Sequence, residues 1–421
     1  MQAIAIVGTG IAGMAAGYFL RDQYDITFYE KNDYPGGHTN TLTVDEDGQP
    51  IYIDSAFMVY NEVTYPNLTH LFNELNVATK PTSMSFSVQH RPSGLEYCGT
   101  GLSGLFAQRK NLLNLYSWKM ILDMRRFNHE AVDILDDEKF LSYTIADYVR
   151  EKGFGEDFLY KFLIPMSSAV WSCPPDLMLK FPMVTLVRFF KNHGFLGLHT
   201  HYPWRTVVGG SRNYREKILG FLKGKVHLNN PAQKVFRQNG KAVIHDSRGQ
   251  KTVYDKVILA CHADEALAVL GDPTDLERRL LQGFSYYKNK TTLHTDDVVM
   301  PKTRRAWSSW NYRIETDQEG RLVPSTIYYM NSLQHVSQKK DYFVSINDPD
   351  LVNPQKILWQ TEYAHPVYDV AAIRAQQELP RLNENGVRYF CGAYFKYGFH
   401  EDGLTAGIHV AESIRGGKVW S

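Results

Sequence analysis

Three glycines and one acid carry the clearest chemistry in the chain. In Gly8-Thr-Gly10-Ile-Ala-Gly13, Gly8 suits a tight turn, Gly10 lets a pyrophosphate approach the backbone, and Gly13 lets the following helix lie close on a sheet. Amides at the helix start, those of Ile11 and Ala12 among them, would face the phosphates. Glu30 follows Gly13 at an offset that lets its carboxylate accept from both ribose hydroxyls and disfavour a 2'-phosphate. The predicted chemistry is dinucleotide binding.

Such a site works only on a strand, turn, helix and strand. Ile4–Val7 is wholly apolar, as a buried parallel strand requires. Met14–Leu20 reads as a helix, and Asp25–Tyr29 as a second strand ending in Glu30. The same glycine expression recurs at Gly99-Thr-Gly101-Leu-Ser-Gly104, with Asp123 at a plausible offset. Its context differs: Gly94–Cys98 is a poor buried strand, and Leu105–Phe127 reads as one helical region with no second strand. This second motif is predicted to be a loop, which removes support for a pyridine-nucleotide-linked flavin reductase.

Beyond Glu30 and Lys31, the stretch Tyr34-Pro-Gly36-Gly37-His38-Thr39 brings further amides toward a pyrophosphate, or else makes a simple hairpin turn. Here the chain resembles the flavin-containing amine oxidase and phytoene desaturase superfamily, which implies FAD as cofactor. In that superfamily the glycine pair is followed by Arg; His38 stands in its place, which implies a weaker fixed charge on the diphosphate. The likeness continues through Arg205-Thr-Val-Val-Gly-Gly210-Ser211 and a helix over Tyr214–Leu222, through Pro231–Val235, whose backbone near Val235 is implied to meet the adenine, and through the apolar strand Asp255–Ala260. It ends in Tyr389-Phe-Cys-Gly392-Ala393 and a helix from about Gly403 to Ile414. Gly392, Asp402 and Leu404 are the implied flavin contacts there, with the helix dipole aimed at the N1/O2 edge. Ala393 departs from the acid often found at its position.

A narrower likeness rests on Asp54–Asn61, Ala169-Val-Trp-Ser172, Trp307–Tyr312 and, most specifically, Gly398-Phe-His-Glu-Asp-Gly403. These are similar to flavoproteins encoded beside, or fused to, cyclopropane-fatty-acid synthases. That branch implies an FAD-dependent oxidase or desaturase acting on a methyl-branched or cyclopropane-type fatty acyl chain, with a methyltransferase of the synthase type as partner. The alternatives are a flavin amine oxidase, and a flavoprotein that holds lipid for the methyltransferase without turnover. His400 and Glu401 are candidates for a general base or proton shuttle, whereas Asp402 also suits a helix N-cap. Lys288 and Lys290 are equally spaced to supply a lysine near flavin N5, so Lys290 joins the catalytic candidates without being singled out. Trp307, Trp310 and Tyr312 either wall a substrate cavity or pack a core.

The expected fold is α/β, with a discontinuous Rossmann-like FAD-binding domain (residues 1–77, 205–282 and 385–421) and an inserted sheet-plus-helices substrate domain (78–204 and 283–384). Two stretches in the first insertion, 105–127 and 182–195, mix apolar and basic residues. Each is either an ordinary core-facing helix or a peripheral membrane surface through which a lipid acyl chain enters. A balance of 46 basic and 45 acidic side chains argues against a nucleic-acid partner. The four cysteines have no metal-ligand or disulfide spacing, so no metal and a reducing compartment are expected. The apolar strand pattern starts at Ala3 with no basic leader, and no apolar run reaches ~18 residues. The expected location is therefore cytoplasmic.

Overall fold

The computed structural model describes residues 1–197, 200–221, 225–348, 351–384 and 386–420. The strand Gln2–Val7 lies at the centre of a five-stranded parallel sheet, paired with Tyr24–Tyr29 on one side and Lys256–Leu259 on the other. Val226–His227 and Arg388–Phe390 form the two edges. Buried on both faces, the three central strands can be apolar throughout, which is why Ile4, Ala5 and Ile6 are wholly inaccessible. An antiparallel meander of Ala232–Gln238, Lys241–Asp246 and Lys251–Tyr254 accompanies this sheet.

The helix after the first glycine turn runs from Ile11 to Leu20, three residues earlier than its apolar pattern suggested, because Gly10 already accepts the Met14 amide at 2.9 Å. The final helix, His400–Arg415, lies across it with Gly403 against Ile11 and Gly407 against Ala12 and Ala15. The predicted helix at Tyr214–Leu222 is found at Arg212–Gly220, and Leu222 lies outside the described residues, as does Asn385 at the expected start of the last cofactor segment.

Both insertions contribute to one seven-stranded sheet. In order it contains Ile357–Val367, Ser285–His294, Phe343–Ile346, Leu322–Tyr329, Trp310–Thr316, Phe86–His90 and Leu95–Cys98. Leu95–Cys98, expected to be a poor buried strand, is an edge strand of this sheet. Its neighbour in the sheet is antiparallel, so the second glycine motif opens the short helix Gly101–Leu105 and makes no nucleotide fold. The region Leu105–Phe127 is also divided: a 3-10 segment, Arg109–Leu113, precedes the helix Leu115–Glu130. The stretch at 182–195 is a buried helix, Met183–Asn192, whose Met183, Leu186, Val187 and Phe190 join the main core, so its membrane-surface reading is overturned. Among the described residues no helix is long and apolar enough to cross a membrane.

His294 ends one strand of the larger sheet and is fully buried. Its Nδ1 accepts the Asp296 amide at 3.2 Å, and its Nε2 shares a 2.7 Å hydrogen bond with the Ser345 hydroxyl. Burial pushes its pKa down to about 4, with the nearby Asp348 and Asp296 offsetting only part of that. An unfolded chain would protonate this histidine near 6.5, the native protein only near 4, so its stability contribution is complete above the first value and lost as pH falls toward the second. Denaturation between about pH 7 and pH 5 should show about 2 kcal/mol of loss from this residue alone. His294→Gln is expected to flatten the curve by that amount; a slope equal to wild type would exclude a neutral buried His294 as its source.

Candidate active site

A cavity of about 1240 Å³ runs from the first glycine turn to the larger sheet. At its nucleotide end the three glycines divide their work. Gly8 has φ +102°, and a Cβ there would lie 2.6 Å from the Ala260 carbonyl oxygen. Gly13 is closed in the same way by the Gly8 carbonyl oxygen at 2.2 Å. A Cβ added at Gly10 would meet nothing within 4 Å, so this backbone is open to the cavity, as a pyrophosphate requires.

Glu30 is almost inaccessible, and its carboxylate is held by three donors: the Thr9 amide at 3.0 Å, the Thr9 hydroxyl at 2.5 Å and the Asn32 amide at 2.9 Å. The Thr9 oxygen in turn accepts the Gly36 amide at 3.0 Å. Thr9 thus ties the first glycine turn, the acid and the second glycine pair into one unit. Sequence reasoning passed over it because the middle position of a GxG turn has no prescribed residue type. Arg215 supports the same turn, donating to the carbonyls of Pro35 and Thr39 at 3.3 Å each.

Gly8, Gly10, Ile11, Ala12, Glu30 and Lys31 line the cavity, as do Gly37, His38 and Gly392. Lys31 also pairs with Glu265. Gly13, Gly36 and Thr39 sit behind that wall: Gly36 completes the turn, and the Thr39 hydroxyl bonds the Tyr214 hydroxyl at 2.6 Å. Val235, whose backbone was expected to meet the adenine, has its side chain fully buried in the main core, and Pro231 and Ala232 of the same segment line the cavity. Asp402 and Leu404 are likewise displaced from the wall by Gly403, because Asp402 turns back to accept the Phe399 amide at 2.9 Å and Leu404 enters the core beneath the amino-terminal helix. The helix begins at His400, so Asp402 is one turn inside it and not its N-cap residue.

His38 is half-buried, with its ring 4.7 Å from that of Tyr363 and 5.3 Å from that of His365, and its Nε2 is sealed from solvent with no hydrogen-bond partner among the described residues. Burial first, then His365 and His262, hold it well below the usual histidine range, so at neutral pH it offers a ring without charge. Where the superfamily resembled has Arg, this chain therefore presents a hydrogen-bonding group and no cation. An unpartnered ring nitrogen beside an open glycine backbone, with the Glu30 carboxylate held in the same wall, fits a bound dinucleotide.

Of the catalytic candidates His400, Glu401 and Lys290, His400 alone lines the cavity. It stacks on Phe57 at 3.8 Å, its Nε2 shares a 2.5 Å hydrogen bond with the Tyr214 hydroxyl, and burial pushes its pKa down to about 3. The catalytic expectation for Glu401 is corrected: it points to the helix Pro66–Glu74, accepting the Asn67 and Leu68 amides at 3.0 and 2.9 Å, where a carboxylate satisfies the first-turn donors. Burial raises it to about 7. Lys290 is exposed and is not part of the lining, whereas Lys288 reaches the cavity rim and pairs with Glu362 at 3.0 Å. Trp310 lines the cavity; Trp307 stacks under Arg304, and Tyr312 is packed inside the sheet's core.

Residues 11–304 match the family described as flavin containing amine oxidoreductase. No curated protein sequence matches the chain. Among solved structures, putrescine oxidase bound to putrescine superposes with a TM-score of 0.71 at 13% identity, covering 99% of each chain. Cyclohexylamine oxidase from Brevibacterium oxydans gives 0.68 at 15% identity over 98% of this chain and 99% of that one. A fatty acid isomerase from P. acnes that produces CLA gives 0.67 at 13% identity over 98% of each. At such identities these structures share the fold.

Proposed function

We propose, for a chain that belongs to the flavin-containing amine oxidoreductase family and is an FAD-dependent oxidoreductase, that the substrate is a fatty acyl chain of methyl-branched or cyclopropane type, which it oxidises or desaturates. The observation that carries this reading is the lining of the cavity beyond the glycine turns. Met58, Met84, Val170, Trp171, Phe195 and Ile346 offer hydrocarbon contact. The carboxylates in the lining are placed elsewhere: Glu30 holds its three donors, Glu265 pairs with Lys31, Glu362 pairs with Lys288, and Asp33 is exposed at the nucleotide end. A protonated amine would enter this space without an unpaired anion, at a desolvation cost an acyl chain does not meet.

FAD, when bound, supplies the two-electron acceptor. The chain's own residues shape the space and manage protons. Glu30 would hold the ribose and the amides after Gly8 and Gly10 the diphosphate, with Gly392 and Gly403 lining the cavity beside the last helix. His400 stays uncharged over the whole neutral range, and with Tyr214 and Thr39 it forms a buried chain of hydrogen bonds ending at the cavity wall. Such a chain can take up or deliver a proton at His400 without admitting bulk water. A substrate of this kind would be supplied by methyl transfer to an unsaturated acyl chain, which suits a synthase-type methyltransferase partner.

The test is anaerobic mixing of the FAD-loaded protein with phospholipids bearing unsaturated, methyl-branched or cyclopropane acyl chains, and separately with mono- and diamines. Bleaching of the flavin band by a modified acyl chain is the expected result. Bleaching by amines alone would establish amine oxidation in its place, and no bleaching by any of them after full photoreduction and reoxidation are demonstrated would favour the accessory role.

A further inference from the structure

Large apolar side chains are exposed in one concentrated place. Of the eighteen found exposed among the described residues, seven fall between positions 102 and 122, including Leu113 at 92%, Leu115 at 82% and Tyr116 at 71%. Leu112, Leu113, Leu115 and Tyr116 follow one another where the 3-10 segment Arg109–Leu113 meets the helix Leu115–Glu130, so they form a tip with side chains in several directions. A stripe along one helix face would suit a second protein; a tip suits a fluid that closes around it. Arg109, Lys110, Lys119 and Arg125 flank it in sequence, all exposed. Arg126 belongs to the fold instead, stacked at 3.9 Å on Phe154 and donating to the Lys152 carbonyl.

We infer that this tip inserts into the surface of an anionic lipid bilayer, with the basic rim on the headgroups. Apolar insertion and attraction to anionic headgroups are the two contributions such binding needs, and Tyr116 and Trp118 are suited to the boundary between them. The inner side of the same segment makes the surface more than an anchor. Leu105, Phe106 and Met120 pack in one cluster with Trp310, against Met84, Val170 and Tyr328, and the last four line the cavity. The segment that carries the bilayer-facing tip thus packs through its inner side against the wall of the substrate cavity. The membrane contact does not depend on the acyl-chain reading, since vesicle binding is measured without turnover.

Sedimentation of the FAD-loaded protein with vesicles of phosphatidylglycerol and phosphatidylcholine, and with vesicles of phosphatidylcholine alone, tests this. Binding to the first and not the second at low salt is expected, weakening about tenfold or more as salt is raised through the screening range. Leu113→Ser/Leu115→Ser/Tyr116→Ser should lose at least about tenfold in partitioning while retaining its flavin absorption. Lys110→Ser/Lys119→Ser/Arg125→Ser should weaken binding to anionic vesicles and remove most of the salt dependence. Wild-type protein that ignores anionic vesicles at low salt, or a triple apolar variant that binds like wild type, would overturn the inference. So would concentration-dependent self-association that the apolar variant abolishes, because the tip would then be covered by a second copy of the chain.

Discussion

Glu30→Gln should lower the affinity for FAD by at least about tenfold while leaving the chain folded. The carboxylate is nearly inaccessible and already accepts from the Thr9 amide, the Thr9 hydroxyl and the Asn32 amide, and the ribose would be a further donor on the cavity side. A hydrogen bond to a charged group contributes roughly 1.5 to 3 kcal/mol, and an amide in place of the carboxylate weakens each bond it keeps and turns one acceptor into a donor. Loss of one such bond is already about tenfold in a dissociation constant. The amide nitrogen would also face donors wherever it points, so the Thr9 link to the Gly36 amide should loosen and the second glycine turn with it. Titration of the apoprotein with FAD, followed by fluorescence quenching, measures the first effect, and hydrogen exchange at Gly36 the second. Wild-type affinity in the variant would remove Glu30 from the site. Thr9→Val, which keeps shape and removes the hydroxyl, should reproduce part of the loss, because it cuts the same unit at its centre.

How far the sequence reached depends on the range of the interaction concerned. The nucleotide turn was legible because strand, turn, helix and acid lie within thirty residues, and each glycine answers to a local requirement: Gly8 to a left-handed backbone angle, Gly10 to open space, Gly13 to the Gly8 carbonyl. The flavin identity came from resemblance, and the family match over residues 11–304 supports it. Side-chain direction in the remaining segments was not legible. Val235 was expected to meet the adenine through its backbone; its side chain is buried in the main core, while Pro231 and Ala232 of the same segment line the cavity. Glu401 and His400 are neighbours in sequence and differ by about 100° around a helix, enough to send one to the cavity and the other to the start of a different helix. Lys288 and Lys290 share a strand face, so only position along the strand separates Lys288 at the cavity rim from Lys290 outside it. The two amphipathic stretches looked alike by pattern. Burial by the rest of the chain makes a core helix of Met183–Asn192 and leaves the tip near Leu113 bare.

Gly407→Ala tests a contact with no sequence signature at all, between the amino-terminal helix and the final one. A Cβ at this position would lie 2.3 Å from the carbonyl oxygen of Ala12 and 2.9 Å from the Ala15 Cβ. The first of these is backbone, so no rotamer change relieves it, and the two helices must separate. Overpacking of a well-filled core costs typically about 1 to 3 kcal/mol, and a backbone clash belongs at or above the upper end, so a loss of about 3 kcal/mol or more is expected by chemical denaturation. Alanine's better helix propensity returns only about 1 kcal/mol. Displacement of the final helix should also be felt at the cavity, because His400 and Gly403 line it from the first turn of that helix, while Ile11 and Ala12 line it from the first turn of the other. Reduced FAD occupancy should therefore accompany the lost stability, and FAD in excess should recover part of it by mass action. Gly416→Ala is the control. It ends the same helix at φ +72° with nothing within 4 Å of the added carbon, so it carries backbone strain without the clash. If Gly407→Ala and Gly416→Ala cost the same and both keep full FAD occupancy, close approach of the two helices is not what positions the cavity wall. A larger loss at 407 alone, accompanied by weaker FAD binding, ties the helix contact to the site.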